Sequence, residues 1–159
     1  MMRIGQGYDI HRFTAGRPLF LGGFEIPMAP KGLKGHSDAD ALVHAIIDAI
    51  LGALALGDIG QWFPDSSSEW QGASGRRLIQ EILRDERVRS WRIVNLDCTV
   101  ITQSPKLSPH IINIRKSLAE LLNVDVNGIS VKAKTKEGLD AVGAGEALEA
   151  QAVILMEHL

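Results

Sequence analysis

Residues 41–56 form the longest apolar stretch of the chain, and Leu42, Val43, Ile46, Ile47, Ile50, Leu51 and Leu54 recur in it at helical spacing. His44, Asp48 and Gly52 interrupt the run, so it is too short and too polar to span a bilayer. A helix this apolar belongs in a core, and the rest of the chain must supply the layers that cover it. Ser37 or Asp38 can cap its start, and Gly57-Asp58-Ile59-Gly60 stops it.

With 159 residues there is room for one domain, 1–159, around such a core. Apolar residues at 45% and charged residues at 23% are a globular balance that excludes disorder. The formal charge of −2 leaves no basic footprint for nucleic acid or for an acidic membrane surface, so neither is expected as a partner. Cys98 is the only cysteine, which excludes an internal disulfide framework and any multi-cysteine metal site. The start of the chain shows no apolar signal core and no Arg/Ser-rich transit pattern, so a cytoplasmic location is expected.

Around the helix, residues 3–13 read as extended, and Gly16-Arg17-Pro18 marks a turn before a second extended run at 19–21, a hairpin-like opening. The loop 27–35 follows, and 64–68 is a polar, exposed loop. Leu78, Ile79, Ile82 and Leu83 mark a second helix, and Ser108-Pro109 opens a third that runs to about Leu122. Residues 91–102 alternate, with Val94, Leu96, Cys98 and Val100 on one side, and residues 129–135 alternate in the same way. Residues 150–156 are almost continuously apolar, which predicts a strand covered on both faces. The sum is a mixed α/β domain: a small four-stranded mixed sheet with helices layered on one face.

Asp9 and His11 project to the same side of the first strand because side chains alternate along it. On its own, such a pair is most often structural, a strand-end carboxylate bonded to backbone, so a ligand role needs support from elsewhere. In the core helix Asp40, His44 and Asp48 share one stripe at i, i+4, i+8, which serves either two plain polar pairs or a set of acids orienting His44. Taken together, Asp9, His11 and His44 make a three-ligand set, the number a catalytic zinc site uses when it leaves one position open. The segment His36-Ser37-Asp38-Ala39-Asp40 before the helix suits either an N-cap or a bound phosphate. Lys132-Ala133-Lys134-Thr135-Lys136-Glu137-Gly138 gathers cations, a hydroxyl and a carboxylate, which suits phosphate and Mg²⁺ or a solvated turn. Cys98 reads as a small core residue, and His110 and His158 carry no role.

In this order, Gly7-Tyr8-Asp9-Ile10-His11, His36-Ser37-Asp38-Ala39-Asp40 with His44 and Asp48, Ala55-Leu56-Gly57-Asp58-Ile59-Gly60 through Phe63-Pro64-Asp65, Pro105-Lys106-Leu107 and Lys132-Ala133-Lys134-Thr135 resemble the 2-C-methyl-D-erythritol 2,4-cyclodiphosphate synthase family over nearly the whole chain. The resemblance implies a homotrimer with active sites at its interfaces, each using zinc and a second divalent ion, Mg²⁺ or Mn²⁺. It implies a cytidine diphosphate substrate, 4-diphosphocytidyl-2-C-methyl-D-erythritol 2-phosphate, whose 2-phosphate attacks the β-phosphorus and releases CMP in non-mevalonate isoprenoid synthesis. Asp9, His11 and His44 then correspond to zinc ligands, with Asp40 and Asp48 behind them, and Glu137 to a ligand of the second ion. His36 and Thr135 correspond to groups that stabilise the transition state. Ser37, Asp58, Ile59, Gly60, Phe63, Pro64, Asp65, Ser66 and Ser67 correspond to contacts with the substrate, the loop from Phe63 acting as a flap over the methylerythritol. Thr102, Pro105, Lys106, Leu107, Ser108, Ala133 and Lys134 correspond to the cytosine pocket, supplied by a neighbouring subunit.

The chain departs from the family at Ala39, where glycine is usual, near Ala141, where an aromatic is typical, and at Ala144, where arginine is typical. Alanine cannot replace a bidentate guanidinium, so the trimer's central cavity is expected to bind isoprenoid diphosphate weakly or not at all. Two rival readings use the same metal set: a zinc hydrolase acting on simple phosphate esters, and a trimeric isoprenoid-binding protein without turnover.

Overall fold

In the computed structural model, which describes residues 1–159, the chain opens with β1 (Met2–Thr14), whose Gly5 and Gly7 are buried while Ile4 and Tyr8 are exposed. A short ribbon follows, β2 (Phe20–Leu21) paired with β3 (Phe24–Glu25), and it turns at Gly22-Gly23 with φ of +65° and +74°, where glycine carries no steric penalty. The opening hairpin is therefore displaced from its expected place. The Gly16 turn only redirects the chain, because β1 takes its long pairing with the last strand.

Next come β4 (Gly32–Leu33), the central α1 (Ala41–Leu54), the short α2 (Ile59–Trp62), a 3₁₀ turn at Ser68–Trp70, α3 (Gly75–Arg84) and α4 (Glu86–Arg89). The chain ends with β5 (Trp91–Ile101), a 3₁₀ turn at Ser108–His110 running into α5 (Ile111–Leu122), a turn at Val126–Gly128, β6 (Ile129–Lys134), α6 (Asp140–Gly143) and β7 (Ala147–His158). Ser108-Pro109 opens the third major helix as its sequence implies, through one tight turn.

The main sheet has five strands in the order β4-β1-β7-β5-β6, one more than the four expected. The additional strand is β4, a two-residue edge piece opposite Phe13 and Thr14 inside the 27–35 loop, too short to show any alternation. β5 and β6 run parallel, and the other pairs are antiparallel. No helix is long and apolar enough to cross a membrane.

α1 is buried nearly all round, against β1, β7 and α3. Each of its Leu and Ile side chains contributes about 1.5–3 kcal/mol by leaving water. Its seam with β1 is made of small residues. A Cβ on Gly5 would stand 1.8 Å from the Ala49 carbonyl oxygen, and one on Gly7 1.8 Å from that of Ala45. Strand and helix backbones thus touch, and the next inward side chains of β1, Asp9 and His11, are delivered straight to the helix.

Two expectations change at the sheet surface. Val94 is exposed rather than inward, because a bulge between Ile93 and Asn95 inserts one residue and turns it out. β7 is covered on one face only: Ala150, Ala152, Ile154 and Met156 are buried, while Gln151 and Val153 are exposed. The open face carries Ile4 at 70% exposure, with Tyr8 and Ile10 beside it.

Candidate metal and phosphate site

Three side chains converge where β1 leaves its glycine seam against α1. Asp9 Oδ2 lies 2.8 Å from His11 Nε2 and 3.0 Å from His44 Nδ1, and the two ring nitrogens are 3.3 Å apart. Around a tetrahedral zinc with bonds of about 2.0–2.1 Å, neighbouring ligand atoms stand about 3.3 Å from one another. One oxygen and two imidazole nitrogens therefore sit close to the edge lengths such an ion imposes, and the donor set fits zinc.

The remaining ring nitrogens show what orients the set. His11 Nδ1 donates to the Lys34 carbonyl at 2.8 Å, which turns Nε2 toward Asp9. His44 Nε2 meets the Ser37 hydroxyl at 3.3 Å, and that hydroxyl also accepts from Ala39 N at 2.9 Å. Burial pushes the Asp9 carboxyl up, but the hydrogen bonds from His11 and His44 and their charge outweigh it and hold the group at about 2. Burial pushes His11 down, and the Asp9 carboxylate more than reverses this. The site is thus a carboxylate kept ionised beside two aimed imidazoles, an arrangement that attracts a cation.

The carboxylate of neither acid of the helix stripe bonds to His44. Asp40 is the N-cap of α1, and its oxygens accept from Val43 N, Gly22 N and Gly23 N. It replaces Ser37 and Asp38 as the cap and ties α1 to the β2–β3 turn. Asp48 Oδ1 accepts from Ile59 N at 2.7 Å, which anchors the start of α2. Burial raises both carboxyls.

Above the three ligands opens a cavity of about 560 Å³. His36 and Ser37 line one wall, and Ile59, Gly60, Phe63, Pro64, Asp65, Ser66 and Ser67 line the other. Asp58 stays outside, capping α2 through Gln61 N. Gly35, Trp70, Gln71 and Leu78 also line the cavity, although the sequence reading did not select them. Trp70 was findable as an aromatic in an otherwise polar loop. It packs edge-on against Phe63 at 4.8 Å, and the Arg77 guanidinium lies 4.9 Å from its ring centre.

The other candidate residues gather elsewhere. Thr102, Pro105, Lys106, Leu107 and Ser108 follow the end of β5, and Ala133 and Lys134 end β6 beside it, with Thr102 N bonded to the Lys134 carbonyl at 2.9 Å. The Ser104–Pro105 peptide is cis. Thr135 donates to Glu137 Oε1 at 2.9 Å, so the hydroxyl and carboxylate face one another. Asp9 stands opposite Ala150, Ala150 opposite Val100, and Val100 opposite Ala133. Three strand spacings of about 4.8 Å place the two clusters about 14 Å apart along the sheet of one chain.

The chain matches the model of the YgbB family over residues 2–157. It is 56% identical over 156 residues to the 2-C-methyl-D-erythritol 2,4-cyclodiphosphate synthase of Chromobacterium violaceum, covering 98% of each chain. A 2C-methyl-D-erythritol-2,4-cyclodiphosphate synthase solved in a CDP-bound form is similar at a TM-score of 0.88 and 39% identity, over 98% of this chain and 100% of that one. The bifunctional IspDF of Campylobacter jejuni is similar at a TM-score of 0.93 and 35% identity over 100% of this chain, which spans 43% of that longer protein.

Proposed function

The chain belongs to the YgbB family, and we propose that it converts 4-diphosphocytidyl-2-C-methyl-D-erythritol 2-phosphate to 2-C-methyl-D-erythritol 2,4-cyclodiphosphate and CMP. The observation that carries this reading is the convergence of Asp9 Oδ2, His11 Nε2 and His44 Nδ1 beneath the 59–67 wall of a cavity large enough for the substrate's methylerythritol and phosphates. In the reaction an oxygen of the 2-phosphate forms a bond to the β-phosphorus, and the bond from that phosphorus to the oxygen bridging to the α-phosphorus breaks. The ring closes, and CMP leaves with that oxygen.

Asp9, His11 and His44 would hold zinc. Bound there, zinc supplies positive charge that polarises a phosphate oxygen and offsets charge developing at phosphorus. Phosphoryl transfer depends chiefly on positioning and charge stabilisation, and the remaining roles follow from that demand. His36 presents a hydrogen-bond donor to the cavity, Asp65 accepts from a substrate hydroxyl, and residues 63–67 keep water from the reacting phosphates. Glu137, exposed and bonded only to the Thr135 hydroxyl, is available to a second ion, Mg²⁺ or Mn²⁺, which one carboxylate plus phosphates is enough to hold. Thr135 then turns its hydroxyl to the transferring group.

We assign the cytosine to residues 102–108 and 133–135 of a neighbouring subunit in a homotrimer. The distance of about 14 Å between the two clusters on one chain supports this, as does the open sheet face with its exposed Ile4, Ile10 and Val153. Phosphorus NMR of the protein with substrate and Mg²⁺ tests the function. Cyclic diphosphate and CMP, lost on stripping zinc and restored by adding it, are expected. Release of inorganic phosphate would assign a hydrolase instead, and binding without turnover by the zinc-loaded protein would leave only a ligand-binding role.

A further inference from the structure

Residues 34–37 carry three duties at the metal site without belonging to any helix or strand. The Lys34 carbonyl orients His11, the Ser37 hydroxyl meets His44, and His36 forms part of the cavity wall. A loop with such duties needs a clamp, and Arg17 with Gly72 forms one. Arg17 Nη1 donates to the Gly35 carbonyl at 2.9 Å, and Arg17 Nη2 donates to the Ser37 carbonyl. The carbonyl between them, that of His36, accepts from Gly72 N at 2.7 Å.

We infer that Arg17 is a positioning residue for the metal site: its guanidinium spans the carbonyls on either side of His36 and holds the 34–37 loop against His11 and His44. Through the bends at residues 35–37, the Gly35 and Ser37 carbonyls both turn to Arg17 and the His36 carbonyl between them turns away to Gly72 N. Arg17 therefore takes the 35 and 37 pair while Gly72 takes 36, and the peptide units on both sides of His36 are fixed. Only arginine presents two parallel donors in a rigid fork, and lysine can reach one carbonyl at a time. The turn that carries Arg17 is seated on the same segment from below. A Cβ on Gly32 would meet the Pro18 carbonyl oxygen at 2.2 Å and that of Arg17 at 2.6 Å, so backbone packs on backbone there.

Arg17→Ala and Arg17→Lys test this in the full chain, with cobalt(II) titrated as the metal probe and turnover measured on the zinc-loaded protein. Turnover rests on the function proposed above; the cobalt titration does not. For Arg17→Ala, cobalt affinity should fall about 10-fold, as for other losses of a ligand's orienting partner. Its kcat should fall about 10- to 100-fold with little change in KM, the expected result of misplacing groups that act at the reacting centre. Arg17→Lys should recover part of each loss, and low-millimolar guanidinium added to Arg17→Ala should restore turnover saturably. Unchanged cobalt affinity and kcat in a folded Arg17→Ala would overturn the inference, as would losses that appear only with partial unfolding by circular dichroism and resist guanidinium. If the wild type binds cobalt yet turns nothing over, the proposed function fails while the affinity comparison still decides the role of Arg17.

Discussion

The two clusters of candidate residues are built on different physical terms. At the metal end, Gly5 and Gly7 let β1 touch α1, and the polar side chains that follow face one another across a seam with no room to move. At the other end, residues 102–108 and 133–137 lie on strand ends and loops, mostly exposed, with their polar groups bonded locally. The first cluster is complete within one chain and set by packing. The second has its form in one chain, and in the proposed trimer it would serve a substrate held by the neighbouring subunit.

His44→Ala strikes the complete half hardest. Metal should be lost and turnover should fall by about three decades, the several kcal/mol of charge stabilisation a bound cation contributes, while circular dichroism stays native. The same variant sharpens the contrast between the halves. Mixed with Glu137→Gln, whose lesion lies in the other half, it should regain activity in shared trimers if sites span subunits. Failure of two inactive but trimer-forming variants to complement would return both halves to one chain.

Gly7→Ala attacks the seam that positions the first cluster. Its Cβ would fall on the Ala45 carbonyl, and the helix must shift, at a cost of about 1–3 kcal/mol by analogy with other overpacked sites. Denaturant melts should show that loss together with weaker metal binding. A variant as stable and as tight as wild type would mean that the seam is looser than its distances indicate. Asp48→Ala should cost less, about 1 kcal/mol for a lost capping bond to Ile59 N. Metal affinity should stay within about 2-fold, because the Asp48 carboxylate does not bond to His44; a loss of about 10-fold, typical of an orienting partner, would restore its place behind the ligands.

The last effect is one of pH, confined to alkaline conditions, and lies on β5 in the row beside the one that joins the halves. Burial pushes the Cys98 thiol up to about 12. Its folded pKa is above the unfolded value, so the unfolded chain sheds this proton first as pH rises. The stability this thiol contributes is full below about pH 9 and declines between about 9 and 12, by up to about 1.4 kcal/mol per unit. Melts of wild type and Cys98→Ala above pH 9 should converge by that amount. Parallel curves would show that the thiol ionises as readily folded as unfolded.

How much of this was legible in the sequence depended on how local each signal is. The central helix announced itself through its apolar period, and α3, α5, β5 and β6 through theirs, because a period reports which face is buried. The strand β4 gave no such signal, since two residues cannot alternate, and the bulge at Val94 shifts one residue without any mark in the sequence. In the site, Asp9 and His11 could be placed on one side of a strand, and chemistry alone suggested that His44 joins them. Residue chemistry singled out the cation-rich turn with Thr135 and Glu137, and the resemblance gave those two their roles and brought in the loop from Phe63 as a substrate contact.

The sequence by itself determined which residues are apolar and at what spacing, and thus a core helix, a mixed sheet beside it and a set of side chains able to hold a metal. Tertiary structure decided who stands next to whom. Asp40 and Asp48, which helical spacing aligned with His44, bond instead to Gly22, Gly23, Val43 and Ile59, and the orientation of the imidazoles falls to the Lys34 carbonyl and the Ser37 hydroxyl. Spacing along one element reports only which positions share a face. Buried polar atoms take the partners that three-dimensional packing brings within reach, and those lie on other segments of the chain.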